Sequence, residues 1–290
     1  MRRLLAIPVL PTMFTLGNLV CGFFAIVVAA RIDRPESIEV PTAVEIAFKN
    51  PTGMMRQLDA NDPTHNCMLA GLLIFLAMTF DACDGYVARL ARQSSDFGAQ
   101  LDSLSDVVSF GVAPGFLLVK MCPSFTYQHR DLVWVIAATF AVCAALRLAR
   151  FNVESGEEDN HLTFSGLPSP GAAASIAGFA MLFYTLRKET NAFAYAEPLD
   201  MGLQTALPFY ALLVALLMVS RIPYPHVINE ALRGRASFAY IVGLVFALVA
   251  VSVIRGFSLP LVGLAFVLSG PLQLLWKLAW QKKTQEEPLF

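Results

Sequence analysis

A run of residues between Asp81 and Asp106 has the types and the spacing of a metal-assisted active site. It contains four aspartates, three small residues and one arginine at helical spacing: Asp81, Asp84, Gly85, Ala88, Arg89, Gly98, Asp102 and Asp106. At about 100° per residue, positions 81, 84, 85 and 88 share one helix face, and positions 98, 102 and 106 share a face of the next helix. Two consecutive helices would therefore direct four carboxylates at one point.

The clustered carboxylates favour divalent cations as their partners. The flanking segments are apolar, so the acids lie inside or at the edge of a membrane span, where each costs about 2.5 to 3.5 kcal/mol at a helix centre. Aspartates offer only oxygen ligands, which suit Mg²⁺, Mn²⁺ or Ca²⁺ better than zinc. Ion pairs with Arg89, Arg92 or an arginine of another helix are the alternative, but they leave the shared helix faces unexplained.

The composition predicts an all-α integral membrane protein. The 290-residue chain is 56% hydrophobic and only 15% charged, whereas soluble domains are about 25% charged. A net charge of -1 and the lack of a long basic run exclude a nucleic-acid partner. About eight apolar segments are long enough to cross the bilayer. They lie near residues 12–31, 68–90, 97–120, 131–150, 169–187, 204–220, 237–254 and 258–278.

An even number of spans puts both chain ends on one side of the membrane. Lysine and arginine are slightly more frequent on that side, which predicts cytoplasmic termini and an active site at the cytoplasmic face. The chain then reads as a single membrane-embedded catalytic domain, 1–290, with a polar external loop at 32–66 and a cytoplasmic tail at 279–290. The five cysteines lack metal-site spacing and are expected to be small packing residues.

The pattern D-x2-D-G-x2-A-R-x8-G-x3-D-x3-D resembles the signature of the CDP-alcohol phosphatidyltransferase family at every fixed position. Four further segments resemble the serine-using branch of that family, the phosphatidylserine synthases. They are SDFGAQLDSLSDVVSFGVAPG, ALRLARFN, FSGLPSPGAAA and MVSRIPYP. The chain departs from the family at the 32–66 loop, which is usually short there. This loop lies across the membrane from the acids, so the chemistry is unaffected.

The resemblance implies the CDP-alcohol phosphotransferase fold and a homodimer. We expect a bacterial inner membrane, because no organelle-targeting signal is evident in the sequence. It implies transfer of a phosphatidyl group from CDP-diacylglycerol to L-serine, with release of CMP. Two divalent cations, Mg²⁺ or Mn²⁺ with Ca²⁺ as a further option, would be held by Asp81, Asp84, Asp102 and Asp106. By the same resemblance, Asp106 takes the proton of the serine hydroxyl. The residues expected to bind CDP-diacylglycerol are Asp81, Gly85, Ala88, Arg89 and Gly98.

Residues outside the signature are more ambiguous. Arg147, Arg150 and Asn152 are candidates for the serine carboxylate, because arginine offers a fork of donors, but arginines at a helix end also extend to the membrane interface for solvation. Asn18, near Thr15 in the first span, could reach substrate phosphates, although a packing role is the favoured interpretation.

Three alternative functions stay open at this stage. Glycerol 3-phosphate or inositol phosphate could replace serine as the acceptor. A divalent-cation transporter would also carry acids inside the membrane. Prenyl transfer uses aspartate-rich metal sites, but it does not explain Gly85, Ala88 and Arg89 at this spacing.

Overall fold

The computed structural model describes residues 9–33, 62–91, 96–154, 166–188, 195–222, 224 and 255–285. Within these ranges the chain is helical and contains no strand. The helices are α1 (Val9–Ala30), α2 (Pro63–Ala91), α3 (Asp96–Asp106), α4 (Ala113–Met121), α5 (Pro123–Gln128), α6 (Arg130–Glu154), α7 (Ser169–Lys188), α8 (Ala196–Val219) and α9 (Ser258–Gln285). A π-helical segment, Val107–Val112, joins α3 to α4, and 3-10 turns occupy Arg31–Asp33 and Arg255–Phe257.

Seven membrane-crossing helices in the described ranges confirm the predicted all-α integral membrane architecture. They are Thr12–Ala30, Pro63–Gly85, Phe97–Met121, Arg130–Val153, Ser169–Lys188, Ala196–Val219 and Ser258–Lys277. Each corresponds to one predicted span. The remaining predicted span, 237–254, lies outside the described residues, as does most of the predicted loop, 34–61. Because α2 begins at Pro63 and α9 ends at Gln285, helix extends into the end of that loop and into the predicted tail.

Small residues allow the helices around the acids to approach closely. α1 packs along α2, and it also contacts α3 and the π-helical segment. At Gly22 in α1 an added Cβ would lie only 2.3 Å from Ser109 Oγ. At Gly115 in α4 it would lie 2.9 Å from the backbone oxygen of Ala137 in α6. Close approach of backbones is the usual means of packing membrane helices, and here it brings α1 and α6 to the carboxyl end of α3.

The start of α7 is anchored to the end of α8. Gly166 donates its N–H to the Ile222 oxygen at 2.9 Å, and Leu167 donates to the Leu217 oxygen at 3.0 Å. Gly166 has a φ of +98°, and an added Cβ there would lie 2.5 Å from the Met218 oxygen. Glycine is required at this position for both reasons. The anchored turn fixes the location of Ser169, the first residue of α7.

Tyr224 holds the segment after α8 against α9. Pro271 lies inside α9 and has no N–H, so the Val267 carbonyl lacks its usual helix partner. The Tyr224 hydroxyl donates to that oxygen at 2.9 Å. At Gly270 an added Cβ would lie 2.5 Å from the Tyr224 ring. Pro271 and Gly270 therefore allow Tyr224 to pack against α9 and to bond its backbone.

Candidate active site

Three of the four predicted aspartates come together where α2 and α3 meet. Asp81 of α2 and Asp102 and Asp106 of α3 each offer a carboxylate oxygen, and these oxygens all lie within 4.8 Å of one another. Asp106 is buried, and the other two are half-buried. The spacing of four residues between Asp102 and Asp106 puts them one helical turn apart on one face. The helix-face prediction explains this convergence.

Asp84, the fourth aspartate, is not part of this close group among the described residues. It lies one turn after Asp81 on α2 and is buried, and Thr15 Oγ1 of α1 donates a hydrogen bond to Asp84 Oδ2. Asp84 still interacts electrostatically with both Asp81 and Asp102. The four negative charges therefore belong to one cluster, although one carboxylate is also held by α1.

Helix α1 forms a further wall of the site through Asn18. The Asn18 side chain is fully buried, and its Nδ2 donates to Asp106 Oδ1 at 2.9 Å. Its own Oδ1 is buried and has no hydrogen-bond partner within the described part of the chain. The favoured interpretation of the sequence gave Asn18 a packing role, whereas the structure joins it to the acid cluster. Thr15, Asn18 and Gly22 recur at helical spacing, and this stripe was the available signal.

The helix changes to π-helical geometry directly after Asp106. Val107–Val112 forms this segment, in which Ser109 Oγ donates to the Asn18 backbone oxygen at 3.0 Å. Gly111, in the same segment, faces α6, where an added Cβ would lie 3.1 Å from Ala144 Cβ. Segments of this kind are rare and are frequent at functional sites. This one lets α1 and α6 both pack beside Asp106.

The donor set fits a divalent cation. Three carboxylate oxygens converge, and Asp102 Oδ1 is buried without a hydrogen-bond partner from any described residue. An unsatisfied buried acceptor costs about 1 to 3 kcal/mol, and more if it is charged. Oxygen-only ligands match Mg²⁺, Mn²⁺ or Ca²⁺. The cluster is therefore an acidic group able to hold a divalent metal ion.

Among the predicted nucleotide-binding positions, Gly85 adjoins open space. An added Cβ there would meet no atom of the described residues within 4 Å, so their packing does not require a glycine at this exposed position of α2. Ala88 and Arg89 belong to the same helix, but their side chains lie outside the described part of the structure. Gly98 lies in the first turn of α3 and is half-buried.

Of the three candidates for the acceptor carboxylate, Arg147 is linked to the acid cluster. It interacts electrostatically with Asp106, and its Nη1 donates to Ser169 Oγ at 2.8 Å. Arg150 Nη1 donates to the Val219 oxygen at the end of α8, at 3.0 Å. Asn152 Nδ2 donates to Ser103 Oγ of α3 at 2.9 Å. The last two contacts tie α6 to its neighbours.

Comparison with known proteins defines the class of protein to which this site belongs. The sequence model of the CDP-alcohol phosphatidyltransferase family matches residues 8–217, which include α1, the acid cluster and α6 to α8 apart from the end of α8. This chain belongs to that family.

Several relatives are named for reactions that involve serine. The CDP-diacylglycerol–serine O-phosphatidyltransferase of Methanocaldococcus jannaschii is 38% identical over 188 residues, which cover 61% of this chain and 79% of that protein. The archaetidylserine synthase of Methanothermobacter thermautotrophicus is 36% identical over 160 residues, 54% of this chain and 58% of that protein. The CDP-diacylglycerol–serine O-phosphatidyltransferase of Bacillus subtilis is 30% identical over 228 residues, 79% of this chain and 96% of that protein.

Proposed function

We propose that this chain transfers the phosphatidyl group of CDP-diacylglycerol to the hydroxyl of L-serine, giving phosphatidylserine and CMP. The observation that carries the proposal is the convergence of Asp81, Asp102 and Asp106 within 4.8 Å at the meeting of α2 and α3. In this family, the similar proteins quoted above are named for serine as the acceptor. The function is therefore an enzymatic one, a phosphotransferase reaction carried out in the membrane.

The acid cluster would hold two divalent cations, Mg²⁺ or Mn²⁺, with Ca²⁺ as a further option. Asp81, Asp102 and Asp106 offer the converging oxygens, and Asp84 adds a carboxylate beside them. Cations held there would neutralise the diphosphate and would stabilise the charge on the attacking and leaving oxygens. Asp102 Oδ1 supports this assignment, because it is buried without a hydrogen-bond partner among the described residues and a cation would supply the missing contact.

Asp106 is the proposed base. Asn18 Nδ2 holds one of its oxygens at 2.9 Å, which fixes the carboxylate and leaves the second oxygen for the serine hydroxyl. The serine oxygen then forms a bond to the phosphatidyl phosphorus, the bond from phosphorus to the CMP oxygen breaks, and the hydroxyl proton passes to Asp106. Arg147 lies in the field of Asp106 and would receive the serine carboxylate, with Arg150 and Asn152 supporting that side.

The nucleotide half of CDP-diacylglycerol would lie against α2 and α3. Its proposed contacts are Asp81, Gly85, Ala88, Arg89 and Gly98. The open space at Gly85 supports this, because no atom of the described residues fills the space that the missing side chain leaves. The acyl chains stay in the bilayer. We place the site at the cytoplasmic face of a bacterial inner membrane, in a homodimer whose subunits are single catalytic domains, 1–290.

The test is CMP release by the purified protein in mixed micelles. CDP-diacylglycerol and Mn²⁺ or Mg²⁺ are supplied with L-serine, glycerol 3-phosphate or inositol phosphate. We expect CMP and phosphatidylserine with serine alone, and a loss of at least about a hundredfold in Asp106→Asn. CMP release with a different acceptor would remove serine from the proposal, and folded protein that releases no CMP would contradict the chemistry.

A further inference from the structure

The Asn18 side chain lies at the acid cluster, where only one of its two polar atoms makes a hydrogen bond to a described residue. Its Nδ2 donates to Asp106 Oδ1 at 2.9 Å. Its Oδ1, bonded to the same carbon, is buried and has no hydrogen-bond partner among the residues that the structure describes. The backbone oxygen of Asn18 already accepts a hydrogen bond from Ser109 Oγ, and that contact holds α1 against the π-helical segment. Because an unsatisfied buried acceptor is costly, a donor from a bound ligand would stabilise this amide oxygen.

Serine brings three polar groups to the site within a three-carbon molecule. The hydroxyl goes to Asp106 and the carboxylate goes to Arg147, which interacts electrostatically with Asp106. The ammonium group is on the carbon next to the one that bears the hydroxyl, so its partner must also lie close to Asp106. Asn18 is hydrogen-bonded to that carboxylate, and it offers an oxygen that can only accept.

We infer that Asn18 Oδ1 accepts a hydrogen bond from the ammonium group of the acceptor, and that Asn18 thereby selects an amino acid over other alcohols. The assignment rests on the proposed transfer to serine. The amide is neutral, so it adds no charge to a cluster that already holds four carboxylates. The four carboxylates offer the charged oxygens that a divalent cation takes as ligands, and we assign the neutral amide oxygen to the substrate. Arg147, the proposed donor to the serine carboxylate, is held in place because its Nη1 donates to Ser169 Oγ at 2.8 Å.

The experiment compares serine with 3-hydroxypropanoate, which keeps the hydroxyl and the carboxylate but lacks the amine. In Asn18→Leu we expect the KM for L-serine to rise about 10- to 100-fold, because a hydrogen bond to a charged group is lost. The Ki of 3-hydroxypropanoate as an inhibitor against serine should change less than about threefold. The kcat falls in this variant as well, since Asp106 loses a hydrogen bond.

Two further variants separate recognition from positioning. Asn18→Asp keeps an acceptor oxygen but cannot donate to a charged Asp106, so it should lower kcat and retain the low KM for serine. Asn66→Ala removes a buried amide at the far end of α2 and serves as the matched control for folding. It should leave the KM and the Ki unchanged. For variants too slow for kinetics, equilibrium dialysis of labelled L-serine with CMP and Mn²⁺ measures the same affinity.

Each outcome has a separate meaning. Equal increases in the KM for serine and the Ki for 3-hydroxypropanoate in Asn18→Leu would reduce Asn18 to a residue that positions Asp106. An increased Mn²⁺ requirement with an unchanged KM for serine would make it a metal ligand instead. Either result overturns this assignment and leaves the proposed function intact. If the unsubstituted protein released no CMP with serine, the proposed function itself would fail, and the assignment with it.

Discussion

The two ends of the helix bundle treat their acidic residues in opposite ways. Asp62 precedes α2, and Asp81 lies near its other end, about 28 Å away at 1.5 Å per residue. Asp62 lies 2.7 Å from His65 Nδ1 and 3.3 Å from Lys188 Nζ. At the same end, Asp200 pairs with Arg187 at 2.9 Å and accepts from Gln204 at 2.6 Å. These acids are satisfied by their own protein.

At the other end, no ion pair joins the four aspartates of the cluster to any cation among the side chains that the structure describes. Asp102 Oδ1 and Asn18 Oδ1 are buried without partners there. Buried polar atoms without hydrogen bonds destabilise a fold unless a ligand supplies the missing interaction. Paired acids at one end therefore link helices of the bundle, and we propose that the acids at the other end bind ligands.

The largest effect should come from neutralising one acid at each end. Asp102→Asn removes a cluster carboxylate with almost no change in shape, and should lower CMP release by about 10²- to 10³-fold. Its free energy of unfolding should stay equal or rise, because repulsion within the cluster is relieved. Asp200→Asn should keep activity per folded molecule and lose about 2 kcal/mol of stability, since Arg187 loses its charged partner. Thermal unfolding in detergent and CMP release measure the two quantities.

The comparison would fail if Asp102→Asn unfolded as readily as Asp200→Asn. In that case the cluster would be stabilising, and its carboxylates would have partners within the protein. The double variant provides an additional check. The two sites are far apart, so their effects on stability should add.

The sequence was enough to predict the convergence of Asp81, Asp102 and Asp106, because helical periodicity alone puts them on facing surfaces. Contacts between distant segments were out of reach. Asn18 and Asp106 are 88 positions apart, and their contact depends on how closely α1 approaches α3. The π-helical segment after Asp106 also has no local signal, since Val107–Val112 reads as ordinary apolar helix. Seven of the predicted spans are present, because apolar length is a local property.

The second test uses two glycines with open space around them. An added Cβ at Gly85 or at Gly202 meets no atom of the described residues within 4 Å, so alanine fits both positions. Alanine should raise helix stability at each position by up to about 1 kcal/mol. At Gly85 the methyl group enters the proposed nucleotide site, and the KM for CDP-diacylglycerol should rise about tenfold. Gly202→Ala in α8 is the matched control and should leave that KM unchanged. Equal KM values in the two variants would show that the space beside Gly85 is not used by substrate.

The smallest effect is the acid sensitivity of the paired end. Partial burial acts to raise the pKa of Asp62, but hydrogen bonds from the Thr64 N–H, His65 and Lys188 outweigh it and lower the pKa from 3.8 to about 2. A carboxyl whose folded-state pKa is lowered contributes stability above its unfolded pKa. That contribution is lost as the pH falls through the folded value. Asp62 should therefore stabilise the protein fully above about pH 4 and progressively less from there to about pH 2.

Asp62→Asn isolates this contribution. The variant should be about 1 kcal/mol less stable than the parent at neutral pH, and the difference should shrink as the pH is lowered from about 4 to 2. Asp131→Asn, in the first turn of α6, removes an exposed charge at the same end and controls for net charge. Unfolding by denaturant in detergent at several pH values gives both curves. A difference in stability between the parent and Asp62→Asn that stayed constant down to pH 2 would contradict this prediction. The hydrogen bonds to Asp62 would then not depend on its charge, and electrostatics would not explain why this acid stabilises the bundle.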